Sequence, residues 1–251
     1  MCIRDRNYAT PVGLMGGEPY RIMELTPYVG ASKATSSVIL YVMMHIFSHF
    51  CFWFFSIFLY LALRPVDIAM GTILAVVGAV SLLAIYFFMK GYKNGMAVRT
   101  LKLLQHIPFI KEWAKRFSEN KREALERVDS QIAELHKQRR STFYASLSLE
   151  FMARIIGCLE VYFILNILTT DVSFPACILI MAFTSLFANL FFFSPMQLGA
   201  REGGFALAVG GLAIPGAFGV YTGLITRVRE LIWIVIGVLL MKVGNGTPAN
   251  K

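Results

Sequence analysis

Two uninterrupted uncharged runs constrain this chain more than any other feature. Val38 to Leu63 is 26 residues without Lys, Arg, Asp or Glu, and Ile68 to Met89 is another 22. A helix crosses the hydrocarbon core of a bilayer with about 20 apolar residues, so each run is long enough to span. Only Arg64, Pro65, Val66 and Asp67 separate them, and so short a turn makes the two spans an antiparallel hairpin. At membrane depth the backbone must satisfy its own hydrogen bonds, and helices do so within one segment. The expected fold is therefore all-α, a polytopic membrane helix bundle. Only 16% of residues are charged, against about 25% in a soluble domain. That excludes a disordered chain and argues against an ordinary soluble enzyme.

The basic charge is concentrated in one place. Lys90 to Arg140 holds 13 Lys/Arg and 6 Asp/Glu and so carries most of the net +9. A basic block between apolar spans reads as a cytoplasmic loop, and no nucleic-acid partner is expected. The first hairpin then starts and ends inside, and the Thr169 to Ser173 turn lies outside. Ile110, Trp113, Phe117, Leu125, Val128, Ile132 and Leu135 recur at roughly helical spacing within the block. They fit either an amphipathic helix at the membrane face or a solvated linker helix.

The chain divides into six stretches. Residues 1–35 form a broken or re-entrant segment, 36–89 a transmembrane hairpin, and 90–140 the basic cytoplasmic segment. Residues 141–193 form a second hairpin, 194–214 a second broken segment, and 215–243 the last transmembrane helix. Met1 to Arg6 reads as foreign sequence joined to a chain whose natural start lies further upstream. Cys2, Cys51, Cys158 and Cys177 make no CxxC pair and read as small apolar residues, so neither a disulfide framework nor a zinc site is expected.

The two broken segments share a pattern, [ST]-P-x-x-L-x-[GA]-x-E. Thr10, Pro11, Leu14, Gly16 and Glu18 align with Ser194, Pro195, Leu198, Ala200 and Glu202. Each copy precedes a long apolar span. Paired Gly/Pro-interrupted segments in two halves of a membrane protein point to a transporter binding site, because half-helix N-termini expose N–H groups that attract anions. The alternative is chance likeness between two loops. Gly203, Gly204, Gly210 and Gly211 are expected to permit tight helix contact.

Charges inside apparent spans narrow the site further. A charge at the bilayer centre costs about 2.5–3.5 kcal/mol on insertion scales. Glu150, Arg154, Glu160, Arg227, Arg229 and Glu230 all lie in apolar runs, with Arg201 and Glu202 in one broken segment and Glu18 and Arg21 in the other. Helical spacing pairs Glu150 with Arg154 and Arg227 with Glu230. They form either a network that fixes helix register or a polar cavity for a charged headgroup or coupling ion. Arginine suits phosphate because its guanidinium donates a two-pronged fork and stays charged. Glu18 and Glu202 would suit a cationic headgroup, a proton relay or the holding of an arginine. His45 and His49 have the spacing of a metal pair, but no third ligand is evident, and no metal site is assigned. No nucleophile elbow, P-loop or dinucleotide fingerprint occurs, so no catalytic residue or cofactor is assigned.

Pro195, Gly199, Arg201, Glu202 and Gly203, followed by a long span carrying Arg227, resemble the signature of the lysylphosphatidylglycerol synthase transmembrane-region family. Pro11, Gly16, Gly17, Glu18 and Arg21 are similar to that family's first motif. The resemblance covers nearly the whole chain, least well at Lys90 to Arg140. It implies a flippase-like integral protein of a prokaryotic plasma membrane, translocating a phospholipid or lipid-linked headgroup. Glu18, Arg21, Arg201, Glu202 and Arg227 are then the headgroup-binding candidates. Glu150, Arg154, Glu160, Arg229 and Glu230 are a second tier. Similar members carry further helices before the first motif. No aminoacyl-transferase domain follows Lys251 in the sequence, so lipid aminoacylation is not implied. A membrane scaffold without transport activity, or a transferase acting on a lipid carrier, are the competing readings.

Overall fold

A computed structural model describes residues 18–94, 130, 140–169, 172–191, 197 and 199–244. The described residues form the helices α1 (Glu18–Val29), α2 (Ala31–Leu63), α3 (Ile68–Asn94), α4 (Arg140–Leu168), α5 (Phe174–Leu190), α6 (Ala200–Gly210) and α7 (Gly216–Gly244). No strand occurs among the described residues. The chain is thus an all-helical bundle. Among the described residues three helical stretches are long and apolar enough to cross a membrane: Ala31–Leu63, Ile68–Lys90 and Ser141–Leu168. Helix α7 has the length, but Arg227, Arg229 and Glu230 interrupt its apolar run. The N-terminal part of the first repeat copy, the basic amphipathic stretch around Ile110 to Leu135, Cys2, Pro195 and Leu198 lie outside the described residues.

Several element bounds differ from the sequence reading, each for a local reason. The first segment is not broken throughout. Helix α1 tolerates Pro27 because the residue sits in its last turn, and the break falls at Gly30, whose φ of 83° favours glycine. Helix α2 therefore begins at Ala31 and takes in Lys33, upstream of the expected Val38. The second arm of the hairpin expected over residues 141–193 is a helix of 17 residues, Phe174–Leu190. At 1.5 Å per residue that is about 25 Å, shorter than the hydrocarbon core. The second broken segment contains a regular helix, α6, entered at Gly199 with φ 79° and left through a turn at Ala213 with φ 62°.

The described residues fall into two compact units, divided between Arg21 and Ile22 and between Ala153 and Arg154. In the N-terminal unit α2 and α3 pack as a hairpin. Phe88 of α3 wedges against Phe47 and Phe50 of α2, with ring centroids 5.4 and 6.4 Å away. The first turns of α4 join this unit, as Phe143 packs on Ile39, Leu40, Met43 and Met44. Phe151 meets Phe55 edge-on at 5.6 Å. Ser48 and Ser56 are buried but return their hydroxyls to backbone carbonyls of their own helix, so they cost little in an apolar setting. The outer face of α3 presents Ile73, Val76, Val80 and Leu83, each more than half exposed. In water such a stripe would be a liability, whereas in a bilayer it meets acyl chains.

The C-terminal unit closes around Leu165, Ile180, Phe205 and Val209, all fully buried and contributed by α4, α5 and α6. Asn166 fastens the α4–α5 turn. Its Nδ2 donates to the carbonyls of Tyr162 (2.9 Å) and Val172 (3.0 Å), and its Oδ1 accepts from the Val172 N–H (3.3 Å). Replacing Asn166 by Ala orphans both Val172 backbone groups. We expect it to lower the stability of the reconstituted protein by about 1–2 kcal/mol, read as a shifted midpoint of unfolding in mixed micelles.

Helix α6 lies on α7 through glycine. An alanine Cβ built at Gly219 would stand 2.5 Å from the Phe205 carbonyl oxygen and 2.7 Å from the Ala206 Cα. At Gly223 it would meet Glu202 Cγ at 3.2 Å. Gly219 and Gly223 are four apart, so one face of α7 offers bare backbone to its neighbour. The sequence reading placed tight contact at Gly203, Gly204, Gly210 and Gly211 instead. Only Gly204 of these faces a close neighbour on another helix, with Phe187 at 3.3 Å and Thr184 at 3.4 Å. Gly203 and Gly210 meet nothing within 4 Å.

Candidate functional site

The close approach of α6 to α7 brings charged side chains together. Glu202 lies in the first turn of α6. One of its carboxylate oxygens, Oε2, accepts from the Gly199 N–H at 2.9 Å, which satisfies one of the orphan donors of that helix end. The other oxygen, Oε1, accepts from Arg227 Nε, while Arg227 Nη2 reaches Oε2 at 3.3 Å and the Gln197 carbonyl at 3.0 Å. Gln197 has a φ of 51°, a conformation rarely adopted by a non-glycine residue, and its carbonyl is held by this arginine. Glu202 and Arg227 thus bind the entrance of α6 to the middle of α7.

The neighbouring residues repeat the arrangement. Arg201 donates through Nη1 to Glu230 Oε1. Arg229 donates through Nη1 to Glu160 Oε2 on α4, and its Nη2 stands 3.8 Å from Glu230 Oε1. Among the described residues, three arginines and three glutamates from α4, α6 and α7 therefore cluster together. Burial is graded across the cluster. The side chains of Arg227 and Glu202 are each 14% exposed, Arg201 and Glu230 are 15% and 16%, and Arg229 and Glu160 are 43% and 28%. One edge is open, and the other is sealed by the α6–α7 contact.

The shortest ion pairs of the cluster run between helices, whereas helical spacing alone had paired Arg227 with Glu230. Arg227 reaches Glu202, twenty-five residues away in sequence, and Glu230 reaches Arg201. Glu150, in the N-terminal unit, lies 3.7 Å from His45 Nδ1. His45 and His49 stack edge-on at 5.2 Å. Among the described residues no group of three His, Cys, Asp or Glu side chains is arranged to hold a metal ion. Glu18 and Arg21 form a pair of their own at 3.7 Å, and Glu18 Oε2 is buried without a hydrogen-bond donor. Both repeat glutamates occupy the first turn of a helix, Glu18 in α1 and Glu202 in α6. A negative side chain is favourable there because the helix end carries partial positive charge. Two contributors were not singled out from sequence: the Gln197 carbonyl and the Gly219/Gly223 face. The four-residue glycine spacing in an apolar run was the available signal for the second.

The sequence profile of the lysylphosphatidylglycerol synthase TM region matches residues 6–237, which include every residue of the cluster. The chain belongs to this family. It is accordingly a membrane protein, as its apolar helices independently require. No curated protein and no solved structure matches it. As a family member it combines the expected arginine- and glutamate-bearing segment with a short helix entered at a glycine. The departure from a simple spanning bundle is therefore concentrated where its charges are.

Proposed function

We propose that the protein moves a phospholipid or lipid-linked headgroup between the leaflets of a prokaryotic plasma membrane, and that the α4–α6–α7 charge cluster receives the headgroup. The observation that carries this reading is the cluster itself: three arginines and three glutamates on helices that also expose apolar side chains such as Ile156, Leu207 and Leu224. Charged side chains within a membrane are costly and are retained where a polar path or ligand needs them. Arg229 offers a guanidinium at the open edge, Arg201 is linked to it through Glu230, and guanidinium is the side chain best matched to a phosphate. Glu202 and Arg227 hold the frame that presents them. Glu18 and Arg21 supply the corresponding pair of the first repeat copy.

The reading is tested by leaflet exchange. The purified chain is reconstituted into proteoliposomes with a fluorescent phosphatidylglycerol, and exchange is followed by quenching of the outer leaflet. Exchange should exceed that of protein-free vesicles. Arg201→Gln, at matched protein content, should slow it about tenfold, the effect of losing one charge-assisted contact. Exchange that is unchanged in the variant would assign Arg201 to structure alone.

A further inference from the structure

Helix α2 carries a ladder of rings through its otherwise uncharged run. Tyr41, His45, His49 and Trp53 follow one another at four-residue spacing and so share one face of the helix. Their ring centroids stand 6.1, 5.2 and 5.5 Å apart in that order. Glu150 of α4 meets this face, with its Oε2 3.7 Å from His45 Nδ1. Apolar contacts on either side of Glu150 in sequence hold it there. Phe143 packs on Leu40, Met43 and Met44, and Phe151 meets Phe52 and Phe55 with ring centroids 6.4 and 5.6 Å away. The way α4 packs on α2 thus sets where the carboxylate stands.

The titratable groups beside His45 in these contacts are Tyr41 and His49 from α2 and Glu150 from α4. On α3, which meets the Phe47 side of α2, Lys90 donates to the Tyr86 hydroxyl at 3.1 Å. Arg154 follows Glu150 by one turn of α4. Its guanidinium stays charged throughout the ordinary pH range, so any share it takes of Glu150 does not vary with pH.

A carboxylate in an apolar span is costly unless a cation answers it. A neutral imidazole carries no charge, and 3.7 Å is beyond hydrogen-bond length. One added proton changes both facts. An imidazolium is charged and donates from both nitrogens, so its Nδ1–H can close on Glu150 as a charge-assisted pair. An ordinary histidine takes up that proton at about pH 6.5, where an ordinary carboxylate is still ionised.

We propose that His45 and Glu150 together bind one proton within the membrane, and that the bound proton clamps α4 to α2. The imidazole gains the proton, the carboxylate balances its charge, and no other covalent bond changes. This site lies in the N-terminal unit and uses no residue of the α4–α6–α7 cluster, so it stands or falls apart from the headgroup reading.

The test is a double-mutant cycle at two pH values. The full chain is unfolded in mixed micelles at about pH 5.5 and about pH 8, as wild type, His45→Gln, Glu150→Gln and the double variant. At the lower pH each single substitution should raise the unfolding constant about tenfold, and the two together should raise it no further. At the higher pH the coupling should fall below about twofold. The direction follows from the imidazolium, which is present below its titration range and lost above it. In a His45→Arg background the cation is present at both pH values, so Glu150→Gln should raise the unfolding constant about tenfold at both. That background also guards against a glutamine variant that merely folds badly. Nitrogen NMR of the His45 imidazole, identified by its absence in His45→Gln, should show a neutral ring at the higher pH and a doubly protonated ring at the lower. The change should be lost in Glu150→Gln.

Coupling that is equal at both pH values, or absent from both, would overturn the proton site and leave the contact as packing alone. A wild-type ring that stays neutral at the lower pH, or one protonated equally in Glu150→Gln, would overturn it as well.

Discussion

Replacing Gly219 by alanine is expected to destabilise the C-terminal unit by about 3 kcal/mol, a large effect for one methyl group. The added carbon would stand 2.5–2.7 Å from the Phe205 carbonyl and the Ala206 Cα. Those are backbone atoms, so no side-chain rotation can relieve the clash and α6 must lift from α7. Phe205 is fully buried at that contact, and lifting it opens the core against Leu165 and Ile180. Glu202 and Arg227 would separate in the same movement, so lipid exchange should fall with stability. Gly203→Ala is the matched control. Nothing lies within 4 Å of that position, and alanine is the better helix former, so a gain of up to about 1 kcal/mol is expected. Unfolding midpoints of the two variants in mixed micelles make the comparison. A Gly219→Ala protein as stable as wild type would mean that the two helices do not pack on bare backbone.

Glu202→Gln is the second large effect. The carboxylate caps α6 through Gly199 and holds Arg227, and both side chains of the pair are largely buried. Removing one member leaves an uncompensated guanidinium among apolar helices, which costs about 3–5 kcal/mol in buried pairs. The amide retains shape and can still accept from one donor, so about 3 kcal/mol is the expectation here. Glu202→Gln combined with Arg227→Gln should recover part of the loss, because the orphaned charge is gone as well. Strictly additive losses would mean that the two residues act independently. The same geometry makes Glu202 a holder of Arg227, one of the three roles that its sequence context allowed.

Legibility from sequence followed the physics of each feature. The long spans were readable because length and apolarity alone decide whether a helix can cross a bilayer, as at Ala31–Leu63 and Ile68–Lys90. Their ends were less so: Lys33 looks like a boundary, yet the break falls three residues earlier at Gly30, where the backbone takes a positive φ. A charge with long flexible reach does not end a helix, whereas backbone geometry does. The charged residues of the cluster could be picked out because each violates the apolar rule of its segment. Their partners could not. Helical spacing offers Glu230 to Arg227, but it cannot foresee that α6 lies close enough for Glu202 to compete. That closeness depends on Gly219 and Gly223, whose lack of side chain matters only once the neighbouring helix is in place. Gln197 was invisible for a related reason, since it contributes a backbone carbonyl rather than its side chain.

We expect the arginines of the cluster to recognise the phosphate of a lipid during its passage. Leaflet exchange of two fluorescent lipids in the same proteoliposomes tests it most directly. One is phosphatidylglycerol, and the other is a diglycosyl diacylglycerol, which has a polar headgroup but no phosphate. The expected result is protein-dependent exchange of the phospholipid, loss of that exchange in Arg201→Gln, and little exchange of the glycolipid in either protein. Equal exchange of both lipids, insensitive to Arg201→Gln, would contradict it and leave the charge cluster as a device for holding helices in register.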